Sequence, residues 1–152
     1  MDKIFKVFYT TPNYSDDLKF EQAVKDAFQK VREMLMPDRS VMFSSMHNTQ
    51  YSSPFSITGE INNADLYICN IAKNNSNAMY ELGIAQGCNK PTILLIDNEA
   101  TLSLDIDFLR YVNYDSNTLS NNFTHHLAKA IVSALNDPDD WKLNSLLPSN
   151  KK

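Results

Sequence analysis

The chain has 152 residues, a hydrophobic content of 43% and a formal net charge of −4. This length predicts one domain that buries roughly two-thirds of the surface of the unfolded chain. Lysines and arginines are scattered and form no basic stripe, which argues against a nucleic-acid polymer as a partner. The first residues lack the apolar core of a secretory signal, and no apolar run reaches membrane-spanning length. We therefore expect a cytoplasmic protein that does not bind membranes.

Cysteine and histidine positions argue against a metal site or a disulfide framework. Cys69 and Cys88 are the two cysteines of the chain, and neither has a partner at metal-ligand spacing. Cys69 lies in an apolar segment, so we expect it to act as a small core residue. His125 and His126 also lack companions at suitable spacing. The sequence therefore predicts no metal and no cofactor.

The first strand and first helix follow from apolar runs and turn residues. Residues Ile4 to Tyr9 predict a strand. Ser15 or Asp16 is suited to begin a helix, and Pro37 would end it. The apolar side chains predicted to pack recur at helical intervals, and they are Phe20, Val24, Ala27, Phe28, Val31 and Leu35.

The next part of the chain predicts a second strand and a short helix. Residues Ser40 to Ser45 form the strand, and His47 is expected in the polar loop that follows. Pro54 is favoured in the first turn of a helix. Ile57 and Ile61 would give that helix its packed side.

A strand, a helix and a strand are predicted between Asp65 and Asp97. Asp65 to Ile71 is almost entirely apolar, as a strand covered on both faces would be. Thr92 to Asp97 repeats the pattern. Ser76 or Asn77 can begin the intervening helix, and the turn residues after Gly87 end it.

The last elements are a short strand and an amphipathic helix. Tyr111 to Tyr114 predicts the strand. We expect residues 1–136 to form the domain and 137–152 to form a tail, in which Trp141 packs onto the domain or, alternatively, onto a second subunit. The packed face of the last helix is predicted to carry Leu119, Phe123, Leu127, Ala130, Ile131 and Ala134.

This alternation predicts an α/β protein. Five strands separated by helices favour a single doubly wound domain of the flavodoxin-like kind, with a five-stranded parallel sheet and helices on both faces. Ligands of such sheets bind at the carboxyl ends of the strands, beside the starts of helices. Residues near the start of the third predicted helix are therefore candidates for chemistry.

Glu81 is the foremost of these candidates. Ala78, Leu82 and Ala85 share the predicted packed face of its helix, and Glu81 lies at the margin of that face. Gly83 lowers helix propensity by about 1 kcal/mol relative to alanine, so we expect it to allow a close approach of helix and sheet. The alternative is that Glu81 is only an acid placed favourably near a helix N-terminus.

Residues 57–97 carry a pattern of three parts. Its parts are Ala64-Asp65 before an apolar strand, Asn75-x-Asn77-x-x-Tyr80-Glu81-Leu82-Gly83-x-Ala85, and Lys90-Pro91 before a second apolar strand. The pattern resembles the nucleoside 2-deoxyribosyltransferase-like family, which includes base-exchanging transferases and nucleotide N-glycosidases. That family grades into TIR-like domains, some of which cleave NAD. The run Asp105-x-Asp107-Phe108-Leu109-Arg110-Tyr111-x-x-Tyr114-Asp115 resembles the segment that usually follows.

The resemblance implies roles for four residues, and the chemistry of two others makes them candidates as well. Glu81 would be the catalytic carboxylate at the anomeric carbon of the sugar. Asn77 would contact a sugar hydroxyl or fix the carboxylate, although a simple helix-start role is equally compatible with its position. Asn75 would touch sugar or phosphate, and Asn70 stands where many relatives carry an acid. The two candidates that follow from side-chain chemistry are Tyr9, which would stack on a base unless it is a core residue, and Thr10, whose hydroxyl would help to hold a phosphate.

Two departures separate this chain from the transferases of the family. Those transferases resemble one another in carrying an acidic residue that contacts the nucleobase. The corresponding position in this chain is Ile57, and Glu60 is the nearby acid. The segment after the first strand also lacks glycine. His47 would be an acid toward the leaving base only as an alternative to an ordinary loop histidine.

Three functions follow from these patterns. The first is hydrolysis or base exchange at the N-glycosidic bond of a nucleoside or nucleotide. The second is NAD cleavage or signalling by a TIR-like domain, and the third is a module that binds a nucleotide-like ligand without reaction. The first is our prediction, with a small-molecule nucleoside, nucleotide or NAD as ligand. The resemblance also implies a homo-oligomer.

Overall fold

The sheet and helices are seen in a computed structural model that describes residues 3–11, 18–35, 39–47, 54–71, 76–97, 110–115, 119 and 121–142. The strands of this part of the chain are β1 (Ile4–Thr11), β2 (Ser40–His47), β3 (Leu66–Ile71), β4 (Thr92–Asp97) and β5 (Tyr111–Tyr114). The helices are α1 (Leu18–Leu35), α2 (Pro54–Asn63), α3 (Ser76–Gly87) and α4 (Asn121–Asn136), and a short 3₁₀ turn (Pro138–Trp141) follows α4.

The five strands form one parallel sheet in the order β2-β1-β3-β4-β5. This is the flavodoxin-like order, and the predicted fold class is confirmed. The chain leaves β1 toward β2 on one side and leaves β3 toward β4 on the other. The boundary between β1 and β3 is therefore the switch point at which ligands of such sheets bind.

Two details of the predicted elements are wrong. His47 does not lie in a loop, because β2 continues to pair with β1 up to the couple Thr11–His47. Leu119 does not belong to α4, which begins at Asn121, although its side chain still packs against the neighbouring core. Ser15, Asp16 and Pro37, predicted to limit α1, lie outside the described residues.

Two hydrophobic cores cover the two faces of the sheet. Alternation along each strand assigns successive side chains to opposite faces. The first core, here called the α1/α4 core, includes Val7, Tyr9, Phe20, Phe28, Leu66, Ile68, Ile93, Leu95, Tyr114, Phe123, Leu127 and Ile131. The second core, here called the α2/α3 core, consists of Phe8, Ile57, Ile61, Ala64, Tyr67, Cys69, Ile71, Ala78, Leu82, Ala85, Leu94 and Ile96.

Trp141 packs onto the domain, as expected. Its side chain belongs to the α1/α4 core and is 9% exposed. The indole Nε1–H donates to Ser133 Oγ at 3.3 Å, and the guanidinium of Arg110 lies 5.1 Å from the ring. The 3₁₀ turn thus holds the indole against the end of α4.

Candidate functional site

The packed face of α3 is the predicted one. Ala78, Leu82 and Ala85 are all buried in the α2/α3 core. Glu81 is buried as well, with 2% of its surface exposed. A carboxylate so far from water needs hydrogen-bond partners, because burial disfavours an isolated charge.

The Tyr67 hydroxyl links Glu81 to β1. It donates to Glu81 Oε2 at 3.3 Å. On its other side it lies 2.7 Å from Thr10 Oγ1. Both contacts are buried, and they join residues from β1, β3 and α3 into one polar chain within an apolar core.

The direction of the hydrogen bonds in this chain follows from the number of protons. A tyrosine hydroxyl has one hydrogen to donate, whereas its oxygen can also accept. Because the Tyr67 hydrogen is directed at Glu81, Thr10 must donate to Tyr67. The order is therefore Thr10 to Tyr67 to Glu81, ending on the carboxylate oxygen.

The hydrogen-bonded series of Thr10, Tyr67 and Glu81 lies at the switch point of the sheet. Thr10 and Tyr67 belong to the adjacent strands β1 and β3, and Thr10 is in register with Cys69, two residues beyond Tyr67. The Tyr67 ring must therefore lean toward the carboxyl end of β3 to reach Thr10. This leaning brings its hydroxyl, and with it Glu81, to the carboxyl half of β1 and β3.

Burial keeps the other titratable groups of this site neutral. It raises the pKa of Tyr67 well above its ordinary value, and the nearby Cys69 and Glu81 raise that pKa further. Burial also raises the pKa of the Cys69 thiol to about 12, and the nearby Glu81 raises it as well. The Cys69 thiol lies 3.7 Å from the carbonyl oxygen of Ala78. Cys69 is thus the inert core residue that its strand predicted.

Tyr9 and Asn70 lie on the opposite face of the sheet from Glu81. Tyr9 is 1% exposed and meets the Phe28 ring edge-on in the α1/α4 core. It therefore occupies the core position given above as the alternative to base stacking. Asn70 is also buried, and its Oδ1 accepts a hydrogen bond from the Tyr114 hydroxyl at 3.1 Å. The structure brings Thr10 to Glu81 through Tyr67 but places these two side chains elsewhere.

Asn77 and Asn75 belong to the segment that leads into α3. Asn77 is the second residue of the helix, one turn before Glu81. Its side chain and the whole of Asn75 lie outside the described residues. Their roles toward a sugar or phosphate stay predictions.

Gly83 does not allow a close approach of α3 and the sheet, contrary to the prediction. The residue is exposed, and a methyl group at this position would meet no neighbouring atom within 4 Å. A helix turns by roughly 100° per residue, so Gly83 lies roughly 140° around the axis from Ala78. It faces away from the sheet.

The place of the base-handling acid is apolar. Ile57 is buried in the α2/α3 core. Glu60 is exposed and lines a separate groove of about 360 Å³ with Lys6, Met42 and Asn63. Neither residue supplies a second carboxylate to the cluster around Glu81.

Asp65 has a structural position at the start of β3. Its Oδ2 accepts a hydrogen bond from the Lys6 backbone N–H at 2.8 Å, and its own N–H donates to the Lys6 carbonyl at 2.7 Å. These bonds fasten β3 to β1 at the end of the sheet away from the Glu81 cluster.

The described part of the chain contains no group of three or more histidine, cysteine or acidic side chains arranged to hold a metal ion. Within the same residues, no helix is long and apolar enough to cross a membrane. The site is therefore characterised by its buried carboxylate and hydroxyls.

The comparisons with known proteins concern the fold. No protein-family model and no curated protein matches the sequence. By contrast, 44 chains of solved structures match. One is the CMP N-glycosidase BcmB of Clostridium botulinum, with a TM-score of 0.50, 16% sequence identity and alignment over 82% of this chain and 96% of that chain. The fold is shared. At this identity the likeness is one of fold alone, so an activity must be argued from the site.

Proposed function

We propose that the protein cleaves the N-glycosidic bond of a nucleoside or nucleotide and that Glu81 is its catalytic carboxylate. The observation that carries the proposal is the buried Glu81 carboxylate at the β1/β3 switch point, held there by Tyr67. A solved structure with the same fold is named as a CMP N-glycosidase, which supports a nucleotide as the class of substrate.

The chemistry needs a negative charge beside the anomeric carbon. Departure of the base leaves positive charge on the sugar, and a preorganised carboxylate stabilises that transition state. If the carboxylate bonds to the anomeric carbon, a glycosyl-enzyme intermediate forms and the base leaves with the electron pair of the C–N bond. Water then releases the sugar, or a second base captures it.

NAD cleavage is the second candidate. It breaks the same kind of bond, between a base and a ribosyl carbon. The buried, apolar Ile57 favours NAD cleavage over base exchange. The transferases of the family that the sequence resembles carry an acid at this position. NAD therefore belongs among the substrates to be tested.

The first experiment compares wild type with Glu81→Gln on a panel of nucleosides, nucleotides including CMP, and NAD. Free base is measured by chromatography, with and without a second base as acceptor. Glu81→Gln preserves shape and removes the charge, so we expect base release to fall by at least about 100-fold. Glu60→Gln removes an exposed acid that lines a separate groove and serves as the matched control.

The substrate that reacts will choose between the two candidates. Equal rates for wild type and Glu81→Gln would contradict the assignment of Glu81. Binding of a panel member without any release of base would favour the non-catalytic module. The proposed homo-oligomer is tested separately by light scattering during size-exclusion chromatography.

A further inference from the structure

The Tyr67 hydroxyl, on the central strand β3, donates to Glu81 Oε2 at 3.3 Å. From this geometry we infer that Tyr67 is a positioning residue, which fixes Glu81 Oε2, and that Thr10 acts through Tyr67. The catalytic consequence of this inference rests on the proposed function, whereas the positioning itself does not. It also assigns Thr10 a different role from the phosphate contact that the sequence predicts.

Geometry supports the positioning role. A glutamate has three side-chain torsions, and its carboxylate can occupy many positions unless something holds it. Tyr67 is fully buried, and its rigid ring extends from the central strand β3. A hydroxyl on such a ring is a fixed point, so its bond to Oε2 restricts where the carboxylate can lie.

Thr10 completes the arrangement by orienting the Tyr67 hydroxyl. A phenolic hydrogen can rotate between two in-plane directions and can donate to only one acceptor at a time. The 2.7 Å contact with Thr10 Oγ1 occupies the Tyr67 oxygen as an acceptor. The hydrogen of the Tyr67 hydroxyl is therefore available to donate to Glu81. Thr10 is itself 1% exposed, so its hydroxyl serves the protein interior.

Among the described residues of the α2/α3 core, the titratable neighbours of this carboxylate are neutral. The titratable members of the α2/α3 core are Tyr67 and Cys69, both from β3. The members from α2, β4 and the rest of α3 are apolar, and β1 contributes Phe8 beside Thr10. A hydroxyl donor has a larger effect on a carboxylate in such surroundings than in water, because the local dielectric constant is low.

The role is tested with Tyr67→Phe, which keeps the ring and removes the hydroxyl. Thr10→Val removes the second hydroxyl, and Thr10→Ser retains it as the conservative variant. Tyr111→Phe, at a tyrosine that is 47% exposed, is the matched control. Two readouts are needed: the pH titration of the Glu81 carboxyl by ¹³C NMR, assigned with Glu81→Gln, and the kinetics of base release.

We expect the Glu81 carboxyl to titrate at higher pH in Tyr67→Phe, because a donor to the charged form is lost. We also expect kcat to fall about 10- to 100-fold with little change in KM, as removal of a hydrogen bond to a charged group predicts. The acidic limb of the pH–rate profile should move in the same direction. Thr10→Val should show a smaller effect of the same kind, which Thr10→Ser restores.

Unchanged titration and unchanged kcat in Tyr67→Phe would overturn the positioning role. If the wild type releases no base, the proposed function fails, yet the NMR titration still decides whether Tyr67 holds Glu81. Should Tyr67→Phe not fold, the contrast between Thr10→Val and Thr10→Ser decides. Equal titrations in those two variants would then contradict the inference.

Discussion

The two faces of the sheet are covered by cores of different side-chain composition. The α1/α4 core is rich in aromatic rings, such as the stacked pair Phe28–Phe43 at 4.0 Å and the contacts of Phe20 with Tyr114 and Phe123 at 4.6 and 5.7 Å. Among the described residues, the α2/α3 core is smaller and more aliphatic, and it encloses the hydrogen-bonded series Thr10–Tyr67–Glu81. Both faces are apolar and both bury polar groups, but the buried carboxylate of Glu81, and with it the chemistry proposed above, lies on the α2/α3 face.

Substitutions that create a cavity in one core or the other should separate effects on stability from effects on base release. Ile131 in the α1/α4 core and Leu82 in the α2/α3 core are both buried, and either substitution by alanine should lower the free energy of unfolding by about 2–5 kcal/mol. If the proposed function holds, only Leu82→Ala should also lower kcat of the folded protein, because Leu82 is the chain neighbour of Glu81. Urea unfolding and base release measure the two effects.

An equal fall of kcat in Ile131→Ala and Leu82→Ala, after correction for the unfolded fraction, would contradict this distinction between the two cores. It would mean that the geometry at Glu81 depends on both cores alike. Ile131→Val, which removes a single methylene from the same buried position, is the graded control and should cost about 0.5–1.5 kcal/mol.

The α2/α3 core should also make stability depend on alkaline pH. The Cys69 thiol has a pKa of about 12 when folded and 9.0 as its ordinary value, so the native state holds its proton more tightly than the unfolded state. The free energy of unfolding therefore falls as the pH rises from about 9 to about 12. The raised pKa of Tyr67 acts in the same direction.

Urea unfolding at several pH values tests this dependence. Cys69→Ala should give a shallower fall of stability above pH 9 than wild type, whereas Cys88→Ala, at an exposed thiol, should follow wild type. Parallel curves for Cys69→Ala and wild type would show that the buried thiol does not contribute.

The smallest predicted effect concerns α3 itself. Gly83 is exposed and lacks a positive φ, so alanine fits without a clash. Gly83→Ala should raise the free energy of unfolding by about 0.5–1 kcal/mol and leave base release unchanged, because it stiffens the helix without touching the core. A lower free energy of unfolding for Gly83→Ala would instead support the close approach of helix and sheet that the sequence predicts.

The fold could be predicted because its signals are local. Apolar strands such as Thr92–Asp97 and helical spacing such as that of Ala78, Leu82 and Ala85 need no knowledge of distant parts of the chain. The same spacing, followed one residue further, would have placed Gly83 on the outer side of α3. That error was avoidable.

The site could be predicted only in part because it depends on register. Tyr9 and Thr10 must point to opposite faces, but only the pairing of Thr10 with Cys69 shows which of them meets Tyr67. The family pattern assigns no role to Tyr67. Its signal in the sequence is that a tyrosine in a largely apolar, buried strand needs a partner for its hydroxyl.

Trp141 gives the molecule a built-in optical probe. It is the single tryptophan of the chain, and it is buried in the α1/α4 core against Ser133 and Arg110. Selective excitation of the indole therefore reports on the face of the sheet opposite Glu81. A spectral change during turnover would reveal that the two faces communicate, and a constant spectrum would show that the chemistry proceeds without disturbing the aromatic core.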